Sequence, residues 1–369
     1  MIVNSQNRIF GLDVLRAAAI LMVVSSHVLW IYPKSNALIP TLLELFGFWG
    51  VELFFVLSGF LIGSILYQSY VSNSFTIQSV FRFLKRRWFR TLPNYYLVLI
   101  LNIGIAFFIG YKVENVGLYF VFLQNFLGKA PAFFPESWSL SVEEFAYLLL
   151  PFALFLGTFS VVKNKSKRFL IIVFSLFIIF IFAKVVFNTT QTVSNLTDWN
   201  SNLKSVVIYR IDAILVGVLI AWIRFNFEVF WKKYKVLFAF LGIGIFFFLL
   251  FGITSSNLRI EQSSFFWNVV YLPLTSFGFA FFFPIFSEWK VLNSWLKFPV
   301  EFTSKISYSI YLLHYSIILQ LMKYFVDTTT FSSAERHFFT LCYLLITFLF
   351  SSILYHFYEK PMMNLRDKN

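Results

Sequence analysis

Long apolar stretches alternate with short polar joints along the whole chain. Because about 20 apolar residues are needed for a helix to cross a bilayer, the pattern predicts ten spans. They cover residues 9–31, 47–68, 91–110, 137–159, 169–187, 206–224, 236–254, 265–286, 304–325 and 337–357. A shorter apolar stretch, 116–127, predicts a re-entrant or interfacial segment. We therefore expect an all-α integral membrane protein that forms a single domain over 1–369, with no appended soluble domain.

The composition argues against a soluble enzyme, because 59% of residues are hydrophobic and only 13% are charged, against about 25% charged in a soluble domain. The net charge of +13 would suggest nucleic acid in a soluble chain. In a membrane protein, Lys and Arg instead gather in cytoplasmic loops. Most of them lie in joints on the same side as the N-terminus. We expect both termini in the cytoplasm, a lipid bilayer as partner and no nucleic acid. The single cysteine, Cys342, builds neither a disulfide nor a cysteine metal site, and no metal is expected.

The first predicted span carries three ionisable residues, Asp13, Arg16 and His27. Such residues are costly inside a membrane and are candidates for function. Arg16 and His27 share one helix face and lie about 16 Å apart along the axis. The alternative is that Arg16 only pairs with Asp13 three residues before it, while His27 is an interfacial histidine. The sequence leaves both readings open.

A carboxylate and an arginine are predicted at the depth of His27. Glu143 and Arg210 enter the fourth and sixth predicted spans from the side on which the first span ends. A carboxylate that contacts a histidine fixes its tautomer and stabilises the imidazolium, as general-base chemistry requires. We therefore predict a pairing of Glu143 with His27. The alternative is a structural salt bridge between Glu143 and Arg210.

A cluster of basic residues crowds the joint between the second and third predicted spans. Its members are Arg82, Lys85, Arg86, Arg87 and Arg90. Arginine suits phosphate because its planar fork donates two hydrogen bonds at once. With Arg16, the cluster predicts a cationic vestibule for an anionic donor. A topological signal that contacts lipid headgroups is an equally good explanation.

Small residues in the second span, a histidine in the ninth and a glutamate after the tenth also suggest roles. Ser58, Gly59 and Gly63 predict a close contact between helices. His314, one turn after Tyr311, is either a buried histidine or a substrate contact. Glu359 is expected to be an ordinary interfacial residue.

Taken together, these motifs resemble acyltransferase family three, the integral membrane acyltransferases that modify bacterial surface polysaccharides. The resemblance covers nearly the whole chain and depends on the order and spacing of its motifs. The segments that carry it are Leu12 to Arg16 with His27 following, Phe54 to Phe60, Arg86 to Tyr95, Trp138 to Glu143, Arg210 to Gly217, Ser307 to His314, and Glu359 to Pro361. Val14 and Ala17 replace glycines that often surround the first arginine.

The resemblance implies a membrane O-acyltransferase of the bacterial inner membrane. It implies acetyl-CoA, or another acyl-CoA, as a donor substrate rather than a resident cofactor, and a carbohydrate acceptor such as O-antigen, capsule, exopolysaccharide or another glycan. His27 would be the base or acyl-transfer residue and Glu143 its support. Arg16, Arg86, Arg87 and Arg90 would bind the acyl-CoA, and the supporting or substrate-binding residues would be Asp13, Trp138, Ser139, Arg210 and His314.

Two rival functions remain open at the level of the sequence. A secondary transporter that exports an anionic or sugar-linked substrate would also carry buried charges, but we would expect related halves with interrupted helices near mid-membrane. A catalytically silent membrane scaffold would fold without any need for His27 or Glu143.

Overall fold

The computed structural model describes residues 8–35, 37–72, 74–129, 132–290 and 294–365, and these ranges contain helices and no strands. Ten long helical segments follow one another. They are α1 (Phe10–Val28), α2 (Leu38–Ser72), α3 (Ile77–Ile109), α4 (Ser137–Gly157), α5 (Lys165–Thr190), α6 (Ile211–Asn226), α7 (Lys235–Ser255), α8 (Phe266–Ser287), α9 (294–325) and α10 (Ser333–Leu365). Short helices at Val116–Phe120, Leu196–Trp199 and Glu228–Lys233 lie in the connections.

Eight of these segments are long and apolar enough to cross a membrane. The other two are α6 and α9. Helix α6 is short, with 16 residues, and α9 carries the buried polar residues Ser304, Ser307, Ser309 and His314. The fold is therefore that of a multi-pass α-helical membrane protein, as predicted. The count of ten spans and the cytoplasmic side of the termini stay predictions, and residues 1–7 and 366–369 lie outside the described part of the chain.

Two helices begin earlier than the hydropathy pattern predicts. Helix α3 starts at Ile77, after the capping residue Thr76, and not at residue 91. The basic cluster is therefore helical and does not form a connecting joint. Helix α2 likewise starts at Leu38 instead of residue 47. At the start of α3, basic and polar residues lower the local hydropathy without ending the helix. The start of α2 is apolar apart from Thr41 and Glu44, so this explanation does not extend to it.

Helix α2 lies at the centre of the bundle, between α1 and α6. A β-carbon on Gly59 of α2 would lie 1.9 Å from the backbone oxygen of Ile214, and one on Gly217 of α6 would lie 2.1 Å from that of Val56. Only glycine permits this approach, which confirms the predicted close helix contact. Helix α1 also packs along α9, and this second contact brings the two histidines of the site together.

Candidate active site

A cavity opens among α1, α2, α3, α4 and α9. Three arginines, a carboxylate and several hydroxyls face it. These lining residues are Arg16, Arg87, Arg90, Ser58, Thr91, Ser139, Glu143, Tyr147, Ser307, Tyr308 and Tyr311. The remaining lining residues are apolar and come from α2 and α4. The residues predicted from three separate sequence motifs thus meet in one space.

The cationic side of the cavity is built by α1 and α3. The Arg16 guanidinium lies 3.5 Å from the Asp13 carboxylate, which is the pairing of the alternative explanation, and it also lines the cavity. Asp13 also pairs with Arg8 and accepts a 2.7 Å hydrogen bond from Ser304. The Arg87 guanidinium lies over the Tyr147 ring at 5.7 Å. These contacts hold two arginine side chains toward the cavity and leave them partly exposed to it.

The basic cluster divides along the turn of α3. Arg87 and Arg90 line the cavity, whereas Arg82, Lys85 and Arg86 are exposed and do not line it. Arg87 and Arg90, three residues apart, share a helix face, and Arg86 lies about 100° of rotation from Arg87 at the edge of that face. Arg86 was predicted among the binding residues because the hydropathy pattern places the cluster in a joint, where no helical face separates its members.

The predicted contact of Glu143 with His27 is wrong. The Glu143 carboxylate accepts hydrogen bonds from the Ser58 hydroxyl at 2.6 Å and from the Tyr147 hydroxyl at 3.1 Å. The sequence placed Glu143 at the depth of His27, whereas the structure places it in the cavity with Arg16 and Arg87. The direction around the α4 axis, which sends the side chain toward α2 and not toward α1, cannot be obtained from depth alone.

The alternative salt bridge of Glu143 with Arg210 is also absent among the described contacts, because Arg210 pairs with Glu52 of α2. Both side chains are fully buried, and Glu52 accepts a further hydrogen bond from Ser276. The Arg210 guanidinium lies 5.5 Å from the centre of the Phe55 ring. A second buried pair joins Lys184 to Asp212 at 2.6 Å. Arg210 is therefore a structural residue that ties α6 to α2.

His27 and His314 form a pair at the far end of α1. Nδ1 of His27 lies 2.9 Å from the Val23 carbonyl oxygen and 3.2 Å from Nε2 of His314. His314 is fully buried, and its ring packs on that of Tyr311, with 5.8 Å between the ring centres. Tyr311 lines the cavity, and its hydroxyl lies 2.6 Å from that of Ser139. His27 does not line the cavity, but it is linked to the cavity through His314 and the lining residue Tyr311.

Trp138 and Ser139, both predicted as supporting residues, lie at the start of α4. The Trp138 ring packs edge-on against Phe55, with 5.8 Å between the ring centres, and the Lys204 ammonium lies 5.8 Å from the centre of the tryptophan ring. Ser139 is buried and contacts Tyr311. The two residues thus fix the position of α4 against α2 and α9.

Sequence reasoning missed Glu136, the residue before α4. One oxygen of its carboxylate accepts from the Ser316 backbone N–H at 3.0 Å and from the Ser316 hydroxyl at 2.5 Å. Burial raises the pKa of Glu136 to about 7. No ligand motif surrounds it, and its closeness to Trp138 and Ser139 was the single available signal.

Glu359 is also placed differently from its prediction as an interfacial residue. It is buried, and one carboxylate oxygen accepts hydrogen bonds from Asn94 at 2.9 Å and from Ser309 at 2.6 Å. It thereby ties α10 to α3 and α9 beside the cavity.

A multi-pass helical membrane protein with an arginine-lined internal cavity and an adjoining pair of histidines is the class that the fold and the site define. The family model described as "Acyltransferase domain" matches residues 9–356, and the chain belongs to this family.

The curated relatives are larger proteins. O-acetyltransferase OatA of Staphylococcus aureus (strain NCTC 8325 / PS 47) is 26% identical over 378 residues, which is 95% of this chain and 57% of the relative. A Bacillus subtilis (strain 168) protein, named provisionally as peptidoglycan O-acetyltransferase YrhL, is 31% identical over 174 residues, or 42% of this chain and 25% of the relative. The chain thus spans a little more than half the length of OatA. No solved structure matches it.

Proposed function

We propose that the protein is a membrane O-acetyltransferase that moves an acetyl group from cytoplasmic acetyl-CoA to a hydroxyl of a cell-wall or surface carbohydrate. The observation that carries this proposal is the cavity that Arg16, Arg87 and Arg90 share with Tyr311, whose ring packs on that of His314. Family membership and the names of the relatives support the reaction type.

The arginines of the cavity are suited to the phosphates of coenzyme A. Their guanidinium groups donate paired hydrogen bonds to phosphate oxygens, and a partly desolvated site strengthens each of these bonds. Arg16 and Arg90 lie near the end of the bundle that starts α1, which the distribution of Lys and Arg predicts to be cytoplasmic. The pantetheine arm then extends through the cavity toward Tyr311. Glu143 offsets part of the positive charge and fixes Ser58 and Tyr147.

His27 acts as the general base in this proposal. Its Nε2 takes the proton of the acceptor hydroxyl, the hydroxyl oxygen bonds to the thioester carbonyl carbon, and the carbon–sulfur bond breaks. The coenzyme A thiolate leaves and receives the proton from the His27 imidazolium. Donor and acceptor thus approach from opposite ends of α1, which fits a reaction that uses a cytoplasmic donor and an acceptor beyond the inner membrane.

The proposal is tested in proteoliposomes that enclose chitotetraose as the acceptor probe, with radiolabelled acetyl-CoA added outside. We expect labelled, alkali-labile acetyl ester inside vesicles that carry the wild-type protein. His27→Ala, inserted to the same level, should lose at least about a hundredfold of this signal. Labelling by His27→Ala equal to that by the wild type would show that His27 is not the general base. Labelling of chitotetraose no higher than in empty vesicles would overturn the proposed carbohydrate acceptor.

A further inference from the structure

The proton positions on the two histidines follow from which neighbouring atoms are able to accept a hydrogen bond. Nδ1 of His314 lies 2.8 Å from the Tyr311 carbonyl oxygen and 3.1 Å from that of Ile310. A carbonyl oxygen only accepts, so Nδ1 of His314 carries the proton. In the neutral ring, Nε2 of His314 is then an acceptor. This nitrogen is the atom that faces His27.

The same reasoning applies to the ring of His27. Its Nδ1 lies 2.9 Å from the Val23 carbonyl oxygen and 3.2 Å from Nε2 of His314. Both partners are acceptors, and the Ser26 hydroxyl, 3.4 Å from the same nitrogen, donates its hydrogen to the Val23 carbonyl oxygen. Nδ1 of His27 is therefore the protonated nitrogen, and its hydrogen is shared between Val23 and His314. Among the described residues, no hydrogen bond reaches Nε2 of His27, which therefore keeps its lone pair.

We propose that His314 is the positioning residue of the reaction. Its neutral ring accepts a hydrogen bond from Nδ1–H of His27, holds that ring in place and leaves Nε2 of His27 as the basic atom. It takes the role that a carboxylate has in many histidine-based catalysts. This inference rests on the proposed function for its catalytic meaning, but the hydrogen-bond arrangement itself stands independently of any reaction.

An irregular turn in α9 positions the ring of His314, which accepts the hydrogen bond from His27. The helix passes from α to π geometry at His314, and the π turn continues to Leu319. Such turns break the regular ladder and often occur at functional sites. Within this turn, the backbone N–H of Ser316 donates a hydrogen bond to the carboxylate of Glu136. Glu136 thereby stabilises the irregular turn that presents the Tyr311 carbonyl to His314.

The arrangement also explains how His27 tolerates a positive charge during transfer. When Nε2 of His27 takes the acceptor proton, the bond from Nδ1–H to His314 becomes charge-assisted and strengthens. His314 can pass the polarisation on to the two carbonyl oxygens behind it. His314 forms no covalent bond with the donor or the acceptor during the reaction. It therefore acts through His27 and not directly on the substrate.

The first test locates the protons. The chain has four histidines, so histidine-selective nitrogen-15 labelling of the full protein in lipid gives a spectrum that single His→Gln variants assign. We expect protonated Nδ1 on both rings, unprotonated Nε2 on His27, and a nitrogen–nitrogen coupling between Nδ1 of His27 and Nε2 of His314. A proton on Nε2 of His27, or no coupling to His314, would overturn the proposal whether or not the protein is active.

The second test separates positioning from folding. In the proteoliposome assay with acetyl-CoA and chitotetraose, His314→Leu should lower kcat at least about tenfold and leave KM for acetyl-CoA within about twofold. His314→Gln places an amide oxygen near the position of Nε2 and should recover most of kcat, whereas His314→Asn is too short and should not. If His314→Leu does not insert, the Gln and Asn variants still decide the matter. Equal kcat in Gln and Asn, or a change confined to KM, would overturn the positioning role.

Discussion

Ser58 of α2 donates a 2.6 Å hydrogen bond to the carboxylate of Glu143 on α4. The bond crosses the contact between these helices at the wall of the arginine-lined cavity, and Glu143 accepts a second hydrogen bond from Tyr147. A residue that the sequence suggested as the partner of a base thus lies in the cavity proposed to bind the donor. The position of Glu143 in this cavity, and not beside His27, changes the effect that we expect from its substitution.

Glu143→Gln should retain acetyl transfer within about tenfold of the wild type. The amide oxygen of glutamine still accepts from Ser58, and the Tyr147 hydroxyl is able to accept from its NH₂ group. Glu143→Ala should instead lower the free energy of unfolding by about 1–3 kcal/mol, because two hydroxyls lose their acceptor. Thermal unfolding in detergent and the transfer assay measure the two effects. A loss in Glu143→Gln as deep as that in His27→Ala, with KM unchanged, would restore a direct role in the chemistry.

Arg87→Ala and Arg90→Ala should each raise KM for acetyl-CoA about tenfold or more, because each removes a charge-assisted contact worth about 1.5–3 kcal/mol. Arg86→Ala is the matched control, since it removes the same charge from the same helix but from an exposed position. Initial rates at varied acetyl-CoA measure KM, and equilibrium binding of coenzyme A gives an independent value. If Arg86→Ala weakens binding as much as Arg87→Ala, general attraction by the basic cluster, and not the cavity, holds the donor.

Removal of one member of the buried Glu52–Arg210 pair should destabilise the protein strongly. Glu52→Gln leaves the Arg210 charge buried without its counterion, which costs about 3–5 kcal/mol. The double variant Glu52→Gln with Arg210→Gln should recover much of this loss, because it removes both charges together. Thermal unfolding of the two singles and the double forms a cycle that isolates the pair. Additive losses in the double variant would show that the two residues stabilise the fold independently.

Much of the architecture is predictable because hydropathy depends on a run of residues and tolerates error at any one of them. Depth is predictable in part, since it follows from distance along a helix, and this is why Arg16 and Arg87 were expected in one region. Glu143 was expected at the depth of His27 and instead lines the cavity with the two arginines. The rotation of a helix around its axis and its contacts with distant helices are not predictable in this way, because they depend on the packing of side chains from segments far apart in the sequence. These two features determine that Glu143 contacts Ser58 and that Arg210 contacts Glu52.

His314 illustrates the same limit at the site itself. Its position on α9 and its neighbour Tyr311 are readable from the sequence, but its contact with His27 requires α1 and α9 to pack together at one particular register. Glu136 was missed for a related reason. A glutamate at the edge of an apolar stretch looks like an ordinary boundary residue until its partner, Ser316, is brought to it from a distant helix.

Glu136 should give the stability of the protein a distinct dependence on pH. Burial raises its pKa to about 7 from an ordinary value of 4.5. The unfolded chain therefore loses the proton at a lower pH than the folded protein does. The stabilisation from this group is complete below about pH 4.5 and is lost as the pH rises to about 7.

Glu136→Gln should remove this dependence, because glutamine does not titrate while its amide oxygen can still accept from Ser316. The difference in Tm between wild type and Glu136→Gln, measured at one scan rate, should move against the wild type between about pH 5 and about pH 7.5. The control is Glu114→Gln, at a glutamate whose side chain is 73% exposed, which should follow the wild type throughout. A constant difference between wild type and Glu136→Gln over this range would mean that Glu136 ionises normally in the folded protein, and that its hydrogen bonds from Ser316 outweigh the cost of burial.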